Sequence, residues 1–492
     1  MKLLAIGIDG GDRKVIESMP MPFLHSLLLK NSAPPIEGDL YSRGWAEIYT
    51  GQHCVETGAL YMYPVLDGSH HFTQSYNYKR SQKAKVSMLW EDLNKKGVKV
   101  GFMNIPTTSP APEVNGFFVG GGGGGVSKTS GVPSSLCDSE ETRLTLEENN
   151  YVADLRLGGD KISTLTEMFD RLDDIIRMRQ KTFLTLCEKQ KPDFGFLCFR
   201  VTTTVQYVCM SEIEALLAAQ DLAELNISSE IKEADLNDAQ RRIVSHFALL
   251  DDLIREVFEK LNPQEHLFCA DHGASGYKYN VNVNAFLQET GFQVVTPAAT
   301  LERKWKTFRT WRFLRGRAPG FLKSKMGSIQ KKLKPINFCA KSTRAFGHWY
   351  VQGIYINDKE RFGGPVKPGV ELDALVDQIC KEFNSNSIAR QYKMSARPFR
   401  RDYLDSPWSN EFVDILIDKP DEMFFGRDQS FVEPNKNYGP LSENIEGLSD
   451  MNSGQKSRFP LFIMSSGLAD LVKDDDEKNI CLVHKVITRC FS

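Results

Sequence analysis

Residues 2–9 read KLLAIGID, and Gly10 and Gly11 follow. An apolar run without alternation describes a strand covered on both faces, the mark of a parallel sheet, and here it delivers Asp9 to the loop at its C-terminal end. Outward from this run, VIESMPMPFLHSLLLKN (15–31) reads as a helix broken near Pro20 and Pro22. VSMLWEDLNKKG (86–97) has apolar residues at helical spacing and stops at a glycine, and VKVGFMNI (98–105) follows as a strand. Residues 161–190 form a long amphipathic helix, DFGFLCFRV (193–201) a further strand, and QEHLFCADHGASG (264–276) a strand ending in Asp-His-Gly. This strand–helix–strand rhythm predicts an α/β fold, a parallel sheet flanked by helices.

Between these elements the pattern changes. Residues 106–150 are punctuated by prolines and by six consecutive glycines, Gly120 to Gly125, and read as loop or insertion. No Gly-Lys-Ser/Thr follows the glycines, so they are not a P-loop. Residues 210–261 read as mainly helical. Residues 353–358, 413–418 and 460–467 read as later strands. The expected organisation is a first core portion, 1–300, with insertions at 106–160 and 210–261. A basic linker or cap follows at 301–341, and the core resumes over 342–492.

Composition excludes several classes. The chain has 492 residues, 41% hydrophobic and 25% charged, with a net charge of −2. That is a globular balance with no protein-wide basic field, so no sequence-specific nucleic-acid partner is expected. The segment 301–341 is the exception, with thirteen Lys or Arg against Glu302 alone. Trp305, Phe308 and Trp311 alternate there with Arg309, Arg312 and Arg315, which suits either a solvated cover or contact with an anionic surface. The N-terminal apolar run is too short for a signal sequence, and no stretch reaches the roughly 18 apolar residues of a membrane span. The ten cysteines contain no C-x-x-C pair and several lie in apolar runs. They read as reduced thiols of a cytoplasmic protein.

Two acid-bearing loops carry the chemistry. Asp9 ends the first strand, and Asp271 and His272 end another. In a parallel sheet such ends converge on one edge, where two carboxylates and a neutral imidazole suit Zn²⁺ or Mn²⁺. In LYSRGWAEIYTG (40–51), a helix starting near Gly44 places Tyr41 and Ser42 at its N-terminus, where a hydroxyl gains help as a nucleophile or serves as a plain cap.

The blocks LLAIGIDG, W-x-x-I-x-T-G (45–51), VGFMNIPTTSPAPEVNGFFVGG (100–121), DHG (271–273), KSTRAF…GIYIN (341–357) and VDILIDKPD (413–421) resemble the alkaline phosphatase superfamily, and within it the type I phosphodiesterase/nucleotide pyrophosphatase-like group. The resemblance implies a doubly wound, mostly parallel α/β sheet sandwiched by helices, and hydrolysis of a small anionic phosphoric ester through a hydroxyl nucleophile, Ser42 or Tyr41, with sulfate or phosphonate esters as relatives of that chemistry. Arg43, next to that nucleophile, is then placed to pair with a phosphate oxygen, and His348, beside the KSTRAF…GIYIN block, is a candidate for substrate contact. It implies two metals in the family at large. Here Asp9, Asp271 and His272 match one set of ligands, while the other set falls on Thr203, Tyr207 and Ser457, which are poor ligands. One divalent ion is therefore expected. The alternative is a catalytically degenerate binding or regulatory protein.

Overall fold

The computed structural model describes residues 1–122, 132–155, 162–219, 236–295, 338–426, 430–446, 448 and 452–492. Its centre is a six-stranded sheet in the order β17 (Phe462–Met464), β7 (Glu265–Cys269), β1 (Leu3–Ile8), β6 (Phe194–Phe199), β4 (Val100–Ile105) and β5 (Gly116–Gly120). All neighbours are parallel except β17, which pairs antiparallel to β7. β1 is buried along its whole length, as its unbroken apolar run demands.

Alternate residues feed two cores. Leu4, Ile6 and Ile8 join Leu197 and Phe199 in one, whereas Leu3 and Ala5 join Phe194, Phe196 and Cys198 in the other. The helices Leu165–Gln190, Val201–Ala219 and Asp238–Leu261 contribute to the first core. Gly44–Thr50, Leu89–Lys95 and Leu482–Cys490 contribute to the second. The sheet is thus covered on both faces, as a doubly wound α/β fold requires.

Most sequence expectations hold within a few residues. The break near Pro20 yields two helices, Arg13–Ser18 and Pro22–Lys30. The expected strand 193–201 stops at Phe199, and Val201 already starts a helix. The reading of 106–150 as loop needs correction: GFFVG forms the sheet-edge strand β5, too short and too closely bounded by glycine and proline to stand out. The segment 301–341 lies outside the described residues up to 337.

Smaller sheets stand beside the core. β8 (Gly273–Gly276) pairs antiparallel with β16 (Gly454–Ser457), matching Lys456 to Ala274. β9 (Tyr279–Val281) lies between β14 (Met423–Phe425) and β15 (Val432–Pro434). β10 (Ala345–Gly347), β11 (Gly353–Ile356), β13 (Ile415–Asp418) and β12 (Ser395–Pro398) form an antiparallel sheet, which shares a third core with the helix Val370–Ser385. β2 (Tyr63–Pro64) and β3 (Phe72–Thr73) form a short ribbon. Among the described residues no helix is long and apolar enough to cross a membrane.

Candidate active site

The C-terminal ends of β1, β6 and β7 are adjacent, and the residues that follow them meet: Asp9 after β1, Arg200 after β6, Asp271 and His272 after β7. This is the ligand-binding edge of an open α/β sheet. A cavity of about 850 Å³ opens there. Asp9, Arg43, Arg200, Thr203, Asp271, His272 and Lys456 line its floor and sides, and Tyr61, Tyr207, Trp349, Tyr350 and Phe424 give it aromatic walls.

Each floor residue is held. Asp9 is buried, and its Oδ2 accepts from the Trp45 indole N–H at 2.9 Å. Its Oδ1 accepts from the Thr203 hydroxyl, on the first turn of the helix after β6. The Arg200 guanidinium sits 4.0 Å from Asp9 Oδ2 and pairs with Asp154 through another nitrogen. Asp271 Oδ1 accepts from the Gly10 amide at 3.2 Å. Gly10 has φ +67°, and a Cβ there would lie 2.9 Å from Thr203 Oγ1, so a side chain would force apart the contact beside Asp9. Gly44 is tighter still, since a Cβ would fall 2.1 Å from the Asp271 carbonyl oxygen.

The ligand atoms of Asp9, Asp271 and His272 lie within 4.8 Å of one another. His272 Nδ1 lies 2.7 Å from the Gly273 carbonyl and donates to it, which leaves the Nε2 lone pair for a metal. Burial and then Lys456 push the imidazole down to about 3, so it is neutral. Burial and the neighbouring Asp271 raise Asp9, and burial raises Asp271. Two carboxylates reluctant to share a dry site and one neutral imidazole fit a divalent ion. Arg43, Arg200 and Lys456 line the same cavity as these acids, so such an ion would add to its positive charge, the balance that receives an anion.

The other sequence candidates divide. Arg43 lines the cavity, its Nε and Nη2 donating to the carbonyls of Leu60 and Tyr61 at 2.8 and 3.0 Å, which fixes the guanidinium plane. The structure does not bring Tyr41, Ser42 or His348 to the cavity floor. Tyr41 packs edge-on against Phe399, and its oxygen accepts from the Val413 amide at 3.0 Å. The Ser42 amide donates to Asp39, and its buried hydroxyl lies beside Glu47. His348 stacks on Phe72 at 4.4 Å. Thr203, expected only as a lost ligand, supplies the hydroxyl that touches Asp9. Tyr207 lies parallel to the His272 ring at 6.2 Å, and Ser457 donates to Asp12 at 3.3 Å.

Sequence reasoning passed over three residues. Arg200 was within reach, because it directly follows a buried parallel strand. Trp45 stands in the W-x-x-I-x-T-G block, where spacing alone gives it no role. Lys456 carried no local signal, since only the β8–β16 pairing brings it to the site.

A family model described as type I phosphodiesterase / nucleotide pyrophosphatase matches residues 3–325. Among solved structures, the chain is similar to phosphonoacetate hydrolase from Sinorhizobium meliloti 1021 in complex with phosphonoformate, with 9% identity, 100% of this chain and 96% of that chain covered, and a TM-score of 0.49. It is also similar to murine ectonucleotide pyrophosphatase/phosphodiesterase 5, at 10% identity, 94% and 88% coverage and a TM-score of 0.43. A mutant of the alkaline phosphatase PafA follows at 10% identity, 94% and 90% coverage and a TM-score of 0.44. No curated protein matches the sequence.

Proposed function

From the premise that this chain belongs to the type I phosphodiesterase / nucleotide pyrophosphatase family, we propose that it hydrolyses small anionic phosphoric esters in the cavity at the end of β1, with one Zn²⁺ or Mn²⁺ ion held by Asp9, Asp271 and His272. The observation that carries this reading is the convergence of two carboxylates and a neutral imidazole with Arg43, Arg200 and Lys456 on one cavity floor. When bound, the ion supplies Lewis acidity towards a phosphoryl oxygen.

The protein's own groups do the rest. Arg43, its plane set by two carbonyls, and Arg200, anchored by Asp154, receive the non-bridging phosphoryl oxygens. The Thr203 hydroxyl is the nucleophile on this reading, because it already donates to Asp9, the carboxylate placed to take its proton as it attacks. Attack at phosphorus forms a threonine phosphoester and breaks the bond to the leaving oxygen, which takes up a proton. Water then cleaves the phosphothreonine and restores the hydroxyl. Asp9, Asp271 and His272 are buried at the floor, where charges act more strongly than in water.

The test is turnover of bis(p-nitrophenyl) phosphate by the full chain loaded with Zn²⁺ or Mn²⁺. Thr203→Ala is expected to lower kcat by about 100-fold or more, and Thr203→Ser to restore part of it. Asp271→Ala is expected to abolish both turnover and the ion at this site. Parental activity in Thr203→Ala would remove the assigned nucleophile. No turnover with either metal, together with retained binding of the diester, would make the chain an anion-binding protein instead.

A further inference from the structure

A second group of ligand atoms lies outside the cavity floor. Asp39, Glu47 and His53 bring a carboxylate, a carboxylate and an imidazole within 4.8 Å of one another. They bracket the helix Gly44–Thr50: Asp39 precedes it, Glu47 lies inside it and His53 follows it. Glu47 is buried, with 6% of its side chain exposed, whereas Asp39 and His53 keep 36% and 32%, so the group has a buried floor and an open mouth. An independent observation points to a missing occupant. Ser42 is 2% exposed and its Oγ makes no well-formed hydrogen bond, yet it lies close enough to Glu47 to favour its ionised form. A buried hydroxyl of this kind costs stability unless something accepts its bond or takes its lone pair.

We propose that Asp39, Glu47 and His53, with the Ser42 hydroxyl, form a second divalent-cation site, structural in role and separate from the ion at Asp9. The donors are two carboxylate oxygens, an imidazole nitrogen and a hydroxyl oxygen, a set that suits Zn²⁺ or Mn²⁺. His53 Nε2 faces both acids, pairing with Asp39 and lying 3.8 Å from Glu47 Oε1. Its Nδ1 is 3.6 Å from Cys54 Sγ, an acceptor for the Nδ1 proton when Nε2 holds an ion. The competing Val55 amide contact to Nδ1 is long, at 3.4 Å.

Location gives the site its consequence. The segment between its ligands includes Arg43, Gly44 and Trp45, which line the cavity, and Trp45 holds Asp9. An ion here ties the loop before the helix to the loop after it and sets the angle at which that helix meets Asp271.

The full chain is stripped with chelator, reloaded with Zn²⁺ alone, and measured for bound zinc and thermal midpoint. Asp271→Ala, which removes the cavity ion, is expected to keep one zinc ion and a zinc-dependent rise in midpoint. Adding Glu47→Gln or His53→Ala to it is expected to remove both, while circular dichroism confirms that the metal-free fold persists. X-ray absorption at the zinc edge of Asp271→Ala is expected to report one imidazole and oxygen neighbours. Failure of the cavity reading would show as diester turnover kept in Asp271→Ala, or absent from the parent chain, with this ion still in place. The present proposal is overturned if Asp271→Ala holds no zinc, if Glu47→Gln binds as much zinc as its parent, or if the zinc neighbours include sulfur.

Discussion

Lys419 shows at the scale of one residue how burial sets charge. Its Nζ donates to the Pro420 carbonyl at 3.5 Å, and the nearby acid Asp421 is engaged by Arg458 at 3.3 Å. Burial therefore pushes the ammonium down from 10.5 to about 8, with Asp421 offsetting only part of the effect. Between pH 8 and 10.5 the unfolded chain binds a proton here that the native chain does not, so this contribution makes stability rise with pH across that window. Below pH 8 both states are protonated and the penalty is constant. Lys419→Met is expected to stabilise the protein at pH 7 by about 1–2 kcal/mol, a gain that shrinks towards zero as pH approaches 10.5. Urea titrations of parent and variant across this range check it, and a gain that grows with pH would contradict the assignment. At the same scale, Asp9, Asp271 and His272 were legible because chemistry-bearing residues directly after buried parallel strands have one place to go. Thr203 was legible as a position but not as a role, since a hydroxyl reads as a weak ligand until its partner is known.

The helix Gly44–Thr50 is the element on which the site depends most. All seven of its residues are buried, and its first residue approaches the Asp271 backbone so closely that only glycine fits. Gly44→Ala is expected to displace the helix start, destabilise the fold by about 2 kcal/mol or more, and lower metal retention at Asp271. Thermal melting with zinc content checks this; a variant with unchanged midpoint and zinc would mean the helix is free to shift. The start of this helix was readable, but the direction of Tyr41 and Ser42 was not. Both come just before the helix, and packing against Phe399 and Glu47 turns their hydroxyls away from the cavity floor. Short elements were missed for a related reason: β5 acquires its strand identity from pairing with β4, not from a run long enough to declare itself.

Over the whole molecule, charge is divided unevenly, with residues 301–341 carrying +12 while the remainder carries −14. A cationic element beside a site for anionic esters would raise the local concentration of substrate, an effect that fades with salt because exposed charges are screened beyond about 10 Å at 0.1 M. Reversing Arg309, Arg312 and Arg315 to Glu is expected to raise KM for an anionic diester several-fold at low salt, and little at high salt, with the melting midpoint unchanged. Equal KM values at low salt would leave the segment as a solvated cover. The sequence alone determined the layered α/β architecture and the three residues expected to ligate the ion, because an unbroken apolar run can only be buried on both faces and its last polar residue must emerge at the sheet edge. Tertiary structure alone decided which hydroxyl meets Asp9, that Lys456 arrives across the β8–β16 pairing, and that Asp39, Glu47, His53 and Ser42 share one corner. Those outcomes depend on contacts between segments distant along the chain and on side-chain directions set by packing, neither of which a local pattern of residues encodes.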